Sequence, residues 1–174
     1  MTEPTVADPR PAGGALSYIL YNLLLVLLLP LPALYLLYRL IEPRRRLTGL
    51  GERFGNIQGA TAGLEDSDPV IWVHAVSAGE MAAVAPVIRE LRLREPLARI
   101  ALSTVTATGR EMVGKLGLDL DALFFFPFDL PGIVNRVLAA VRPDVLVLVE
   151  TELWPNLLYA ARRRGVRVIV VNAR

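Results

Sequence analysis

The sequence predicts an α/β chain: a doubly wound parallel sheet set behind an N-terminal transmembrane helix. Five short runs, VIWVHA, RIALSTV, ALFFFPF, DVLVLVE and VRVIVVN, are apolar throughout and rich in β-branched or aromatic residues, the pattern of strands buried on both faces. Between them lie EMAAVAPVIRELRLR, TGREMVGKL, PGIVNRVLAAVR and WPNLLYAARRRG, each with apolar residues at helical spacing. Ahead of both, Pro11 to Tyr38 contains no charged residue.

Taken in order, residues 1–14 form a short tail and residues 15–41 the anchor. The core of the anchor, ALSYILYNLLLVLLLPLPALYLLY, exceeds the roughly 20 residues a helix needs to span a bilayer. Pro30 and Pro32 should kink it, which a membrane helix tolerates. Arg10, Glu3 and Asp8 precede the run, whereas Arg39, Arg44, Arg45, Arg46 and Arg53 follow it. The positive-inside rule then puts the soluble part in the cytoplasm. A cleaved signal peptide would instead need a basic start, a shorter apolar stretch and a small-x-small cleavage site. Residues 42–69 lack long periodicity and read as a juxtamembrane helix or turn followed by a flexible link. Their arginines either bind anionic headgroups or only fix topology.

Residues 70–174 form the sheet domain, with right-handed crossovers expected between its strands. Pro131 suits the first position of a helix, and Gly165 suits the position after a helix end carrying Arg162, Arg163 and Arg164. Pro86 is discordant and predicts a kink or a missing hydrogen bond.

Composition narrows the chemistry. The 174 residues are 53% hydrophobic with mean hydropathy +0.45, too apolar for an ordinary soluble domain and too charged for a polytopic channel. The absence of cysteine excludes disulfides and thiolate metal sites, and a single histidine excludes a multi-histidine site. Neither a cofactor nor a metal is expected. Lys115 is the only lysine, so the arginine bias reads as genome composition, and no nucleic-acid partner is expected.

In an open parallel sheet, ligands bind outside the carboxyl ends of the strands. The turns there carry Ser77, Gly79 and Glu80; Thr106, Thr108, Gly109 and Arg110; Asp129; Glu150, Thr151, Glu152, Trp154 and Asn156; and finally Asn172 and Arg174. Glu80 has two readings. With Ser77 it forms a Ser-x-x-Glu capping box, and as a carboxylate on the ligand edge it suits a general base. Glu150 ends the run DVLVLV, where a charge must be paired or hydrogen-bonded, so it is either a structural acid or a functional one. His74 reads as a packed residue. Trp154 and Pro155 read as a helix start that packs, with a stacking role on a sugar as the alternative. Helix starts near Gly79 and Gly109 suit phosphates, yet the chain has no GxGxxG and no Walker pattern.

GLGERFG, WVHAVSAGE, STVTATG, FPFDLPG and ETELWPNL followed by VNAR resemble, in order and spacing, the N-terminal half of 3-deoxy-D-manno-octulosonic acid (Kdo) transferases. The resemblance implies a Rossmann-like acceptor-binding domain, half of a GT-B glycosyltransferase anchored in the inner membrane. That family transfers Kdo from CMP-Kdo to a lipid A precursor on the cytoplasmic face, a step of lipopolysaccharide biosynthesis. It implies that Glu80 is the general base and Glu150 the transition-state stabiliser. Ser77, Gly79, Thr106, Thr108, Gly109, Glu152, Asn156 and Arg174 are the expected substrate-binding residues. Ala78 stands where many relatives have valine. Relatives continue into a second domain that supplies most of the CMP-Kdo site, so this chain is expected to hold the acceptor side and to be inactive alone. The alternatives are a catalytically silent, membrane-tethered lipid-binding module, and another two-domain sugar transferase or nucleotide-sugar epimerase.

Overall fold

The computed structural model describes residues 14–28, 48–64, 68–150 and 152–171. The chain divides into two units, Met1–Leu47 and Thr48–Arg174.

In the first unit, α1 spans Gly14–Leu28. Leu16, Ile19, Leu20, Leu23, Leu24, Val26 and Leu27 are each more than half exposed and share one broad face of the helix, opposite Tyr18, Tyr21, Asn22 and Leu25. Fifteen residues at about 1.5 Å each reach only about 22 Å, against about 30 Å of hydrocarbon. No helix among the described residues is long and apolar enough to cross a membrane. The transmembrane helix expected over 15–41 is therefore not found there, and its remaining part, 29–41, lies outside the described residues.

In the second unit the elements are α2 (Leu50–Arg53), β1 (Val70–His74), α3 (Ala78–Arg94), β2 (Arg99–Thr104), α4 (Ala107–Leu116), β3 (Ala122–Phe125), α5 (Pro131–Val141), β4 (Val145–Val149), α6 (Pro155–Arg163) and β5 (Arg167–Val171). All strand pairs are parallel, in the order β3-β2-β1-β4-β5. This is the doubly wound α/β arrangement expected, with β1 at the centre. Trp72 lies beside Ala101 on one side and Leu146 on the other.

Successive strand residues feed opposite cores. Trp72, Phe124, Leu146 and Leu148 pack with Val134, Val137, Leu138 and Val141 of α5 and Leu157 of α6. Val73, Ile100, Leu102 and Val147 pack with Met81, Val84 and Ile88 of α3 and Val113 of α4. Both faces are covered, so the strands read as unbroken apolar runs. Each large side chain so buried contributes about 1.5–3 kcal/mol. The edge strand β5 differs: Val168, Ile169 and Val170 are 36%, 49% and 42% exposed, because it pairs only with β4 among the described residues.

The helix ends follow their chemistry. Pro131 opens α5 after Leu130, and Gly165 takes φ 75° just beyond α6. α3 continues through Pro86. Proline has no N–H to offer the Ala82 carbonyl, and both residues are exposed, so water can take that carbonyl.

One boundary moves. Of residues 42–69, expected to form a juxtamembrane helix or turn followed by a flexible link, 48–64 include the short helix α2 and belong to the second unit, which begins at Thr48. Ile57 and Leu64 are buried in the α5 and α6 core, and the Arg53 carbonyl accepts the Phe128 N–H at 2.9 Å. Two apolar side chains spread over eight residues give no periodicity to read, and the polar contacts of Glu52 and Arg53 that help hold the segment reach far along the chain.

Candidate functional site

The strand order reverses between β1 and β4, and the crevice beyond their carboxyl ends is the switch point of the sheet. Glu80 follows β1 and Glu150 follows β4, so the two carboxylates flank that crevice.

Ser77 caps α3: its Oγ accepts the Glu80 N–H at 3.3 Å and donates to Glu80 Oε1 at 2.8 Å. Glu80 Oε2 accepts the Val76 N–H at 2.8 Å. The capping box is thus formed, shifted by one residue, since the glutamate reaches the amide before the cap. Glu80 is only partly buried, so the box leaves its carboxylate at the surface of the crevice. Gly79 is exposed, and a Cβ there would meet nothing closer than Ser77 Oγ at 3.9 Å.

Glu150 has φ 65°, a left-handed conformation that a non-glycine residue adopts at a cost of about 1–3 kcal/mol. Its N–H donates to the Val171 carbonyl at 2.8 Å, which extends the β4–β5 ladder by one bond and holds the turn. The twist takes Glu150 out of the strand alternation just where β4 meets the crevice. Partial burial pushes the Glu152 carboxyl up, and the charge of Glu80 adds to that, with Glu150 contributing further. The Trp154 indole N–H makes no hydrogen bond within range and only moderates the rise. Glu80, Glu150 and Glu152 therefore share one electrostatic neighbourhood, although no group of three or more such side chains among the described residues is placed to hold a metal ion.

The second turn is tied to the first. The Val76 carbonyl accepts from Thr104 Oγ1 at 2.9 Å and from Thr106 Oγ1 at 3.2 Å. Thr106 is the cap of α4, accepting the Gly109 N–H at 3.0 Å, and exposed Thr108 donates to Thr106 at 3.3 Å. Gly109 is a packing glycine: a Cβ would lie 2.3 Å from Thr104 Oγ1. Of these expected ligand residues, Thr108 alone offers an exposed side chain.

A third tie joins FPFDLPG to ETELWPNL. Asp129 accepts the N–H groups of Asn156 and Leu157, at 3.0 and 2.9 Å, and caps α6 across 27 and 28 residues of sequence. Asn156 is 1% exposed, and its side-chain amide donates back to the Asp129 carbonyl. The structure thus uses Asn156 to hold two loops together, inward of the crevice. Phe126 stacks between His74, at 3.9 Å between ring centres, and Trp154, at 5.1 Å. His74 is fully buried as expected, its Nδ1 lies 3.0 Å from Ser103 Oγ, and burial lowers its pKa to about 3. Thr151, Asn172 and Arg174 lie outside the described residues.

Two features were not assigned a role from sequence. One is the Asp129 cap, whose signal was an acid at a strand end. The other is the GLGERFG segment at the ends of β2 and β3. Glu52 accepts from Arg110 Nη1 at 2.9 and 2.8 Å and from the Phe125 N–H at 2.6 Å, while Arg53 donates to the Val105 carbonyl.

Order of strands, acids at the switch point and loops braced behind them define a doubly wound, Rossmann-like α/β domain with its candidate site at the switch point. The family model described as 3-deoxy-D-manno-octulosonic-acid transferase (kdotransferase) matches residues 48–174, and the chain belongs to that family. It is 32% identical to the 3-deoxy-D-manno-octulosonic acid transferase of Haemophilus influenzae over 154 residues, 88% of this chain and 35% of the relative. It is 38% identical to the Bordetella pertussis transferase of the same name over 138 residues, 75% of this chain and 32% of the relative. The chain thus spans about a third of the length of the curated relatives it matches.

Proposed function

We propose that this chain is the acceptor-side part of a glycosyltransferase that moves Kdo from CMP-Kdo to a lipid A precursor in lipopolysaccharide biosynthesis. The observation that carries the reading is the placement of Glu80 and Glu150 on either side of the switch point, Glu150 in a left-handed conformation. Strain of that kind persists where the fold over-determines it, and it gathers at functional sites.

In the proposed reaction an acceptor hydroxyl attacks the anomeric carbon of Kdo as the bond to CMP breaks. Glu80 takes the hydroxyl proton, and CMP leaves with the bonding pair. The Ser77 hydroxyl now occupies Oε1 of Glu80, and the acceptor hydroxyl would take its place while the Val76 N–H keeps Oε2 oriented. Glu150 stabilises the positive charge that develops on the sugar as the leaving group departs. Glu152, Ser77, Gly79 and Thr108 border the acceptor, while Thr106, Gly109 and Asn156 act through the loops they brace; Arg174 belongs to the same proposed set. The broad apolar face of α1 is the part of the chain proposed to bind the inner membrane, on its cytoplasmic side.

The test is transfer by this chain joined to the remaining two thirds of a relative, taken as the intact protein, read by mass spectrometry as acceptor gaining Kdo. Glu150→Gln is expected to lower kcat about a hundredfold or more with acceptor affinity kept. Absence of transfer by the intact wild type, or a kcat kept in Glu150→Gln, overturns the reading.

A further inference from the structure

We propose that Trp154 is a positioning residue, whose indole N–H holds the Glu152 carboxylate at the edge of the crevice. The donor is held in place by its surroundings. Phe126 stacks on the Trp154 ring at 5.1 Å and on His74 at 3.9 Å, so the indole ends a row of three rings rooted in β1. The Trp154 carbonyl accepts the Leu158 N–H at 2.9 Å, and Asp129 caps the two residues that follow Pro155. Ring and backbone are both fixed.

That donor is also unsatisfied. Trp154 Nε1 is buried and has no hydrogen-bond partner within range among the described residues. A buried N–H without an acceptor has lost its bond to water and gained nothing in return, which the fold retains only at a cost. Trp72 shows the contrast, since its indole N–H donates to Ser103 Oγ at 2.8 Å.

The acceptor lies two residues back. Residues 152–154 form neither helix nor strand, and Trp154 is extended at φ −98° and ψ 102°. Alternate side chains of an extended segment share a side. Leu153 is 58% exposed while Glu152 and Trp154 are partly buried, so the carboxylate and the indole take the inner side together. Burial raises the pKa of Glu152 and the charge of Glu80 adds to this, whereas hydrogen bonding to Trp154 opposes both by favouring the ionised form. Glu152 turns about its side-chain bonds and the stacked indole does not, so the carboxylate closes the remaining gap.

The experiment has two arms, of which only the kinetic one rests on the acceptor-binding role proposed above for Glu152. Trp72 and Trp154 are the only tryptophans, so the full chain with isotope-labelled tryptophan gives two indole N–H signals by NMR, which Trp154→Phe assigns. As pH rises from acid to neutral, the Trp154 signal is expected to move downfield with a midpoint above the ordinary glutamate value, while the Trp72 signal stays. The other ionisable groups around the pair are Glu80 of α3, Glu150 at the end of β4, His74 of β1 and Asp129 before α5. Glu152→Ala separates them, since the shift is expected to vanish in that variant.

In the chain joined to the remaining two thirds of a relative, Trp154→Phe keeps a ring on Phe126 and loses the donor. The acceptor KM is expected to rise about three- to tenfold with kcat within about twofold. Added to Glu152→Ala, the same substitution is expected to raise KM no further, because the partner is already gone. A Trp154 signal that stays still, or moves equally in Glu152→Ala, overturns the positioning role, as does a full further loss from Trp154→Phe in the Glu152→Ala background. Absence of transfer by the joined wild type overturns the proposed function instead, and the indole titration alone then decides the pairing.

Discussion

Asp129 is 6% exposed, and its two oxygens hold the N–H groups of Asn156 and Leu157 at 3.0 and 2.9 Å. Asp129→Ala leaves both donors without a partner in a place where Asn156 and Leu157 are themselves almost fully buried. Each unsatisfied buried donor costs about 1–3 kcal/mol. Water reaching one of them at the start of α6 would lower the sum, so about 2–4 kcal/mol of destabilisation is expected. Asp129→Asn keeps one acceptor and turns an NH2 against the other donor, so about half of that loss is expected. Urea unfolding followed by far-UV circular dichroism reads both, with a change in midpoint at constant slope. An Asp129→Ala protein within about 0.5 kcal/mol of wild type would show that the two loops are not held by this cap.

The two glycines at the ligand edge should separate cleanly. Gly109→Ala forces a Cβ against buried Thr104 and is expected to lower the melting temperature by several degrees, about 1–3 kcal/mol. Gly79→Ala meets open space and is expected to leave stability unchanged or raise it by up to about 1 kcal/mol, so any loss of transfer in that variant would report a substrate passing close to the backbone. His74 sets an acid limit. Its folded pKa of about 3 lies below the ordinary histidine value of 6.5, so below pH 6.5 the unfolded chain binds a proton that the folded chain refuses. Stability is then expected to fall by about 1.4 kcal/mol per unit as pH drops from 6 to 4, and His74→Gln should remove that slope. An identical slope in the variant would exclude the buried imidazole as its cause.

Much of the fold was legible because β1 to β4 are covered on both faces, so every residue of a run such as VLVLV had reason to be apolar. The Ser77–Glu80 box and the Pro131 and Gly165 helix ends were legible for a different reason: each is a contact or a dihedral settled within a few residues. What periodicity could not supply was the order of the strands. Glu80 and Glu150 come together only because β1 pairs with β4, and neither sequence segment carries that pairing. The same holds for Asp129 with Asn156, and for Glu52 with the Phe125 amide, 73 residues apart. Residues 48–64 hid for want of a pattern, since a segment held by Ile57, Leu64 and a few backbone bonds reads like a linker. Asn156 shows the converse: a polar residue at the ligand edge is spent on joining two loops.

The central claim is that Glu80 serves as a base and not only as part of a helix cap. Its most direct test is the rate of Kdo transfer from CMP-Kdo to a lipid A precursor by this chain joined to the remaining two thirds of a relative, comparing wild type, Glu80→Gln and Glu80→Ala, with acceptor binding and urea stability measured alongside. Gln can still accept the Val76 N–H and preserve much of the cap. The account therefore expects Glu80→Gln to stay close to wild type in stability and acceptor binding while losing about a hundredfold or more in turnover. Turnover near wild type in Glu80→Gln, with loss confined to a destabilised Glu80→Ala, would contradict it and leave Glu80 a capping residue.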